Sequence, residues 1–134
     1  MPVFSFQSLK NLGECHLLLQ QIAHEVVKRF DCACVCGHRG KTDQDYAFEH
    51  HWSEVQYPNS KHNMEPSEAM DLVPCVKGKP SWNTLEDYAF AGYVLRVAED
   101  LGIPIRCGAD WDRDKDMTDQ TFKDPCHFEI QGVI

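Results

Sequence analysis

Two histidines and two aspartates have the types and spacing that metal chemistry requires: His62, Asp71, Asp124 and His127. Asp71 is followed by the apolar residues 72–73, so it enters a predicted buried strand, where an unpaired carboxylate is costly. If that strand lies near the last strand, Asp71 and His127 can meet over the sheet, and His62 can reach them from the preceding loop. Two histidines and a carboxylate with an open fourth position are the ligands of a catalytic zinc ion.

Asp124 lies three residues before His127 and is followed by Pro125, which stiffens the chain. A carboxylate just outside a zinc ligand set can take a proton from an activated water and pass it to a leaving amine. Ordinary interpretations stay open on spacing alone. Asp124 then starts an Asp-Pro turn, His62 is a loop histidine, Asp71 forms an Asx turn and His127 is a hydrogen-bonded strand residue.

Hydrophobic periodicity and end signals predict the elements that position these residues. Helices are predicted at 15–30, 41–52 and 84–102. Strands are predicted at 31–37, 68–76, 103–107 and 126–134. The last helix has Thr84 as its predicted N-cap and ends at Gly102. Helices beside a small, mostly antiparallel sheet make an α+β domain.

The composition is that of an ordinary globular protein, with 43% hydrophobic and 25% charged residues among 134. The formal net charge of -8 argues against a nucleic-acid partner and against an anionic membrane surface. No stretch has the length of a membrane span, and the first thirty residues lack the pattern of a signal peptide. We therefore predict a cytoplasmic location and a monomer.

Seven cysteines include a C-x-C-x-C run at Cys32, Cys34 and Cys36. Alternate residues on a strand are about 6.6 Å apart, so one zinc ion cannot easily gather three of them. The run is interpreted as small buried residues of a core strand, with the thiols reduced.

Two further sets of residues are interpreted as ordinary features. Aspartates at 110, 112, 114 and 116 lack the glycine and the terminal glutamate of an EF-hand loop, which favours a solvated loop over a calcium site. The tryptophans at 52, 82 and 111 are interpreted as core or rim residues rather than sugar platforms.

Two segments together resemble a known family: SKHNMEPSEAMDLVP at 60–74 and DPCHFE at 124–129. The family is the zinc peptidases that include D-alanyl-D-alanine carboxypeptidases and phage L-alanyl-D-glutamate endopeptidases. Its pattern is Ser-x-His, a short loop and Ala-x-Asp, then an acidic residue three before a histidine that an aromatic residue and a glutamate follow. The resemblance implies the hedgehog/DD-peptidase fold and a single zinc peptidase domain over residues 1–134.

The resemblance also assigns roles to individual residues. It implies one zinc ion per chain, and the implied ligands are His62, Asp71 and His127. It makes Asp124 the catalytic acid/base.

A third segment, CGHRGKTDQDYAF at 36–48, is similar to the family's Gly-x-Arg followed by Gln. Arg39 would then bind substrate and steady the oxyanion, with Gln44 in support; the alternative for Arg39 is a surface ion pair. IPIRCGADWD at 103–112 is similar to a family strand ending in Gly-Gly-Asp-Trp. The residues expected to bind substrate or support the ligands are Ser60, Gln44, Glu129 and Trp111.

The implied function is hydrolysis of a stem-peptide amide bond in peptidoglycan. An L-Ala–D-Glu endopeptidase of the phage endolysin type, acting on the wall after release, is favoured. The reasons are the phage-like loop around Pro66, the missing export signal, and Arg39 as the only cation that a motif supplies. The alternatives are a D-Ala-D-Ala carboxypeptidase, a zinc hydrolase of other amides, and a catalytically retired structural or virion module of the same fold.

Overall fold

The computed structural model describes residues 2–132 as an α+β fold built on a five-stranded antiparallel sheet. The helices are α1 (Phe6–Leu12), α2 (Leu17–Val27), α3 (Lys41–Glu49) and α4 (Thr84–Leu101). The strands are β1 (Cys32–Cys36), β2 (Ala69–Val76), β3 (Lys79–Pro80), β4 (Ile105–Gly108) and β5 (Asp124–Ile130). The sheet has the order β1-β2-β5-β4, and β3 pairs with β2. Among the described residues, no helix is both long and apolar enough to cross a membrane.

The predicted α+β class is confirmed, and each predicted helix and strand has a counterpart at nearly the predicted position. The N-cap of α4 is Asn83 rather than Thr84, because the Asn83 side chain accepts from the first free N–H groups of the helix. Gly102 ends α4 in the left-handed region at φ 72°, as predicted. The last strand begins earlier than predicted and ends at Ile130; positions 133–134 lie outside the described residues.

Helix α1 was not predicted. Its seven residues are too few to display a helical period, and its stability comes from the Ser5 cap and from packing on β1.

Alternation along β2 and β5 gives the sheet two different faces. Met70, Leu72, Phe128 and Ile130 are buried in the core with residues of α2 and α4. The residues between them point to the opposite face. Asp71 is paired directly with His127 across the two strands, so the fold brings these two side chains together.

Strands β4 and β5 approach one another closely at the start of β5. A Cβ atom at Gly108 would lie 2.1 Å from the backbone oxygen of Asp124, which no side chain tolerates. Glycine is therefore required at 108 for β4 to support Asp124.

Candidate active site

Three ligand-type atoms converge on the open face of the sheet. His62 Nε2 lies 3.2 Å from Asp71 Oδ1 and 3.2 Å from His127 Nδ1, and the last two atoms are 3.4 Å apart. Nitrogen and oxygen ligands at ~2.0–2.1 Å from a tetrahedral zinc ion are about 3.3–3.4 Å from each other. The triangle therefore has the size of three vertices of a zinc site.

The remaining hydrogen bonds fix which nitrogen of each histidine carries a proton. His62 Nδ1 lies 2.8 Å from the carbonyl oxygen of Gly37, to which it must donate. His127 Nε2 lies 2.8 Å from Glu129 Oε1 and donates to it. Each histidine thus directs a lone pair at the Asp71 carboxylate. Three acceptors facing one another need a cation between them, so the residues fit a metal.

The electrostatics of the site also favour a positive charge between the three side chains of the triangle. Burial by itself lowers the pKa of His62, but the Asp71 carboxylate outweighs it and raises that pKa to about 10. Burial by itself raises the pKa of Asp71, but His62 and His127 hold it well below its usual range. The cluster therefore attracts a cation, whether a proton or a metal ion.

His62 is held by a single turn of 3-10 helix at Lys61–Asn63. The Ser60 hydroxyl accepts from the N–H of His62 at 3.2 Å, and Asn63 Oδ1 accepts from the N–H of Ser60 at 3.0 Å. This reciprocal capping satisfies the N–H groups of Ser60 and His62. Ser60 thereby fixes the backbone of His62, and it also lines the cleft.

Arg39 follows β1 in the chain, and its side chain is largely buried beside Asp71. Its Nη2 is 3.6 Å from Asp71 Oδ2, and its Nη1 donates to Gln44 Oε1 at 3.1 Å. The fully buried Gln44 donates in turn to Ser53 Oγ and to the carbonyl of Val55, at 3.0 and 2.8 Å. The partner of Arg39 is thus the Asp71 carboxylate of the site rather than a surface aspartate.

Glu129 connects His127 to a second arginine. Its Oε1 accepts from His127, and its Oε2 accepts from Arg106 Nη2 at 3.0 Å. Burial raises the pKa of Glu129, but His127 and Arg106 together lower it to about 2. The Glu129 carboxylate is therefore ionised and fixes the ring of His127 in place.

Trp111 covers this pair on the cleft side. Its ring lies 5.4 Å from the His127 ring and 5.1 Å from the Arg106 guanidinium. The indole N–H donates to the carbonyl of Phe122 at 2.7 Å, which holds the ring in one orientation.

Asp124 stands beside the triangle. One of its carboxylate oxygens lies within 4.8 Å of ligand atoms of Asp71 and His127. Burial raises the pKa of Asp124 to about 6, and the nearby Asp71 carboxylate acts in the same direction. A carboxyl group with this pKa can bind and release a proton near neutral pH.

Cys36 is a neighbour of the site that the sequence did not reveal. Its Sγ lies 3.8 Å from His62 Nδ1 and 3.8 Å from Arg39 Nη2. The interpretation of the C-x-C-x-C run as core residues is right for Cys32 and Cys34 and wrong for Cys36. A bulge between Cys34 and Cys36 breaks the strand alternation and turns the last thiol toward the site.

A cleft of about 530 Å³ opens over the triangle. It is lined by segments 52–55 and 59–62, by segment 119–122, and by Arg39, Arg106, Trp111, Asp124, His127 and Glu129. The cleft contains Lys61 and Arg106 as well as Arg39, and the sequence motifs had assigned only Arg39 to the site. Both extra cations are engaged, since Lys61 donates to the carbonyl of Ile130 and Arg106 pairs with Glu129.

The aspartate-rich loop also brings carboxylates together. One oxygen from each of Asp110, Asp112 and Asp114 lies within 4.8 Å of the others. Asp110 is buried and accepts from the N–H groups of Asp114 and Lys115, at 3.3 and 2.8 Å. Its carboxylate therefore shapes the loop.

Solved structures of similar shape show the fold class to which the chain belongs. The chain is similar to the Serratia marcescens L-Ala D-Glu endopeptidase ChiX, with a TM-score of 0.74, 22% identity, and coverage of 97% of this chain and 91% of that one. It is also similar to the vancomycin-resistance D,D-dipeptidase VanXYg in complex with a D-Ala-D-Ala phosphinate analog. That match has a TM-score of 0.50, 21% identity, and coverage of 85% of this chain and 47% of that one. The predicted hedgehog/DD-peptidase fold is confirmed.

Sequence comparison identifies the family within that class. Residues 2–131 match the family model of the phage L-alanyl-D-glutamate peptidases. The L-alanyl-D-glutamate peptidase of Escherichia phage T5 is 29% identical in a 120-residue alignment, with coverage of 87% of this chain and 87% of that one. The chain belongs to the phage L-alanyl-D-glutamate peptidase family, as segments 60–74 and 124–129 predicted.

Proposed function

We propose that this protein is a zinc-dependent peptidoglycan peptidase that cleaves the amide bond between L-Ala and D-Glu of the stem peptide. Its substrate is the stem peptide, and its place of action is the cell wall. The observation that carries the proposal is the triangle of His62 Nε2, Asp71 Oδ1 and His127 Nδ1, with sides of 3.2, 3.2 and 3.4 Å. Membership of the phage peptidase family supplies the substrate class.

His62, Asp71 and His127 would hold the zinc ion, which when bound supplies a Lewis acid and lowers the pKa of water. Asp124 accepts a proton from the attacking water and returns it to the amine nitrogen that leaves. The Arg39 guanidinium, already directed at the cluster by Gln44, donates to the carbonyl oxygen as negative charge develops on it.

Cleavage inside the stem peptide is supported by the way the cleft is built. A carboxypeptidase needs a free cation for the terminal carboxylate of its substrate. Arg106 is paired with Glu129, Arg39 lies 3.6 Å from Asp71 Oδ2, and Lys61 donates to the carbonyl of Ile130. Segments 52–55 and 119–122 line the cleft together with the ligand residues, so the cleft extends beyond the metal ligands themselves.

Digestion of a purified pentapeptide muropeptide tests which bond is cut. We expect two products, the disaccharide carrying L-Ala alone and a peptide that begins with D-Glu, identified by mass spectrometry. Protein treated with a chelator serves as the control and should release neither product. Loss of one terminal D-Ala and nothing else would contradict the endopeptidase and leave a carboxypeptidase.

Replacing Glu129 by glutamine is expected to weaken zinc binding by about 10- to 100-fold. The substitution keeps the size of the side chain but removes the charge that holds the N–H of His127 on one side and Arg106 on the other. Competition with a chromophoric chelator measures the affinity. Glu99→Gln, an exposed position of α4, is the matched control, and equal zinc affinity in both variants would rule out this role for Glu129.

A further inference from the structure

Three rings cluster beside the cleft, and we call them the aromatic rim: Tyr46, His50 and Trp52. The rings of Tyr46 and His50 are 3.7 Å apart, and Trp52 lies 5.3 Å from the first and 5.5 Å from the second. Trp52 is 62% exposed and Tyr46 is 50% exposed, yet Trp52 also lines the cleft. Exposed apolar surface that continues into a cleft is typical of a ligand-binding surface.

Backbone hydrogen bonds fix the position of the Trp52 main chain. After α3, the N–H of Trp52 donates to the carbonyl of Ala47 at 2.8 Å, and the N–H of His51 donates to that of Phe48 at 3.2 Å. This closed turn requires a left-handed residue, which is usually glycine, but here it is His51 with φ 61°. Gln44 ties the next residues, 53 and 55, to the helix and to Arg39. Hydrogen bonds thus connect the segment that carries Trp52 to Arg39 and the site.

The order of the sheet sets the direction in which a substrate runs. Along β1-β2-β5-β4, the Asp71–His127 pair lies in the middle. The segment with Arg39 and Trp52 follows β1 on one side, and Asp124 lies against β4 on the other. Because Asp124 returns a proton to the leaving amine, the D-Glu half of the substrate lies on its side. The L-Ala half then runs toward the aromatic rim.

The chemistry of peptidoglycan places a sugar at that end. The nitrogen of the stem L-Ala is acylated by the lactyl group of N-acetylmuramic acid. Two chain units of at most about 3.6 Å each separate the cut carbonyl from the sugar, so the ring begins roughly 7 Å away. The C–H face of a pyranose is apolar and packs on an aromatic ring while its hydroxyl groups stay in water.

We propose that the aromatic rim, in which Trp52 is the ring that lines the cleft, is a subsite for the N-acetylmuramic acid sugar that carries the stem peptide. This inference rests on the proposed function, because it uses the L-Ala–D-Glu bond to place the sugar. It predicts that the enzyme distinguishes glycosylated from free stem peptide, a preference that the metal site alone does not provide.

The test compares kcat/KM for a disaccharide-tetrapeptide with kcat/KM for the same tetrapeptide without sugar. We expect wild type to favour the glycosylated substrate by about tenfold or more, and Trp52→Ala to bring this ratio close to one. Trp52→Tyr should keep most of the preference. Trp82→Ala is the matched control, since Trp82 is 65% exposed and is not among the residues that line the cleft.

A ratio near one in wild type, or the same ratio in wild type and Trp52→Ala, would overturn the subsite while leaving the peptidase proposal intact. If wild type loaded with zinc cleaves neither substrate, the proposed function fails instead. The subsite is then judged by binding: disaccharide-L-Ala, the acyl product, should shift the Trp52 indole resonance in NMR spectra and leave that of Trp82 in place. An unshifted Trp52 resonance at millimolar ligand counts against the subsite whatever the activity.

Discussion

Replacing Asp124 by alanine is expected to lower kcat on a muropeptide by roughly 10²- to 10⁴-fold while zinc content stays at the wild-type level. Asp124 lies within 4.8 Å of ligand atoms of Asp71 and His127 without belonging to the triangle, so its loss leaves the metal ligands in place. Burial raises its pKa to about 6, which suits a group that takes and returns a proton in each turnover. Product release and metal content are measured on the same sample.

Two variants sharpen this test. Asp124→Asn keeps the size of the side chain but cannot accept a proton, so its kcat should fall as far as that of Asp124→Ala. Asp100→Ala removes an exposed carboxylate of α4 and should have wild-type activity. Near-normal turnover in a zinc-loaded Asp124→Ala would show that another group is the catalytic acid/base, with Glu129 the first candidate.

Much of the fold could be predicted because the local pattern of polar and apolar residues matches the helices and strands that form. Met70 and Leu72 are apolar on either side of Asp71, and this alternation is the pattern of a strand with one buried face. On the last strand, the polar residue His127 and the apolar residue Phe128 likewise point to opposite faces of the sheet. That the two strands are neighbours could only be assumed, because pairing depends on contacts between residues distant in the chain.

The surroundings of the site depend on register and on irregular backbone, which periodicity does not specify. Arg106 meets Glu129 because β4 and β5 pair those two residues directly, and no local signal marks that pairing. Cys36 reaches His62 through a bulge. Trp52 reaches the cleft through a left-handed residue at His51, where sequence preference favours glycine. These three features could be identified only from the structure.

Purified protein is expected to contain one zinc ion per chain, and His127→Ala is expected to lose it. His127 supplies one of the three converging acceptors, and the N–H of its ring is fixed by Glu129, so the substitution removes a ligand and leaves Glu129 Oε1 without its donor. Metal content is measured by mass spectrometry of the folded protein. His24→Ala, an exposed histidine of α2, is the matched control and should retain full zinc.

Zinc removal should also destabilise the wild-type fold, because metal that binds only the folded chain adds to its stability. Zinc at a thousand times its dissociation constant adds about 4 kcal/mol, and its loss lowers the midpoint of thermal unfolding by roughly 10 °C or more in a domain of this size. Scans with and without chelator measure this shift, which should nearly vanish in His127→Ala because that variant has no zinc to lose. Stoichiometric zinc in His127→Ala, or a chelator shift equal to that of wild type, would contradict this set of ligands.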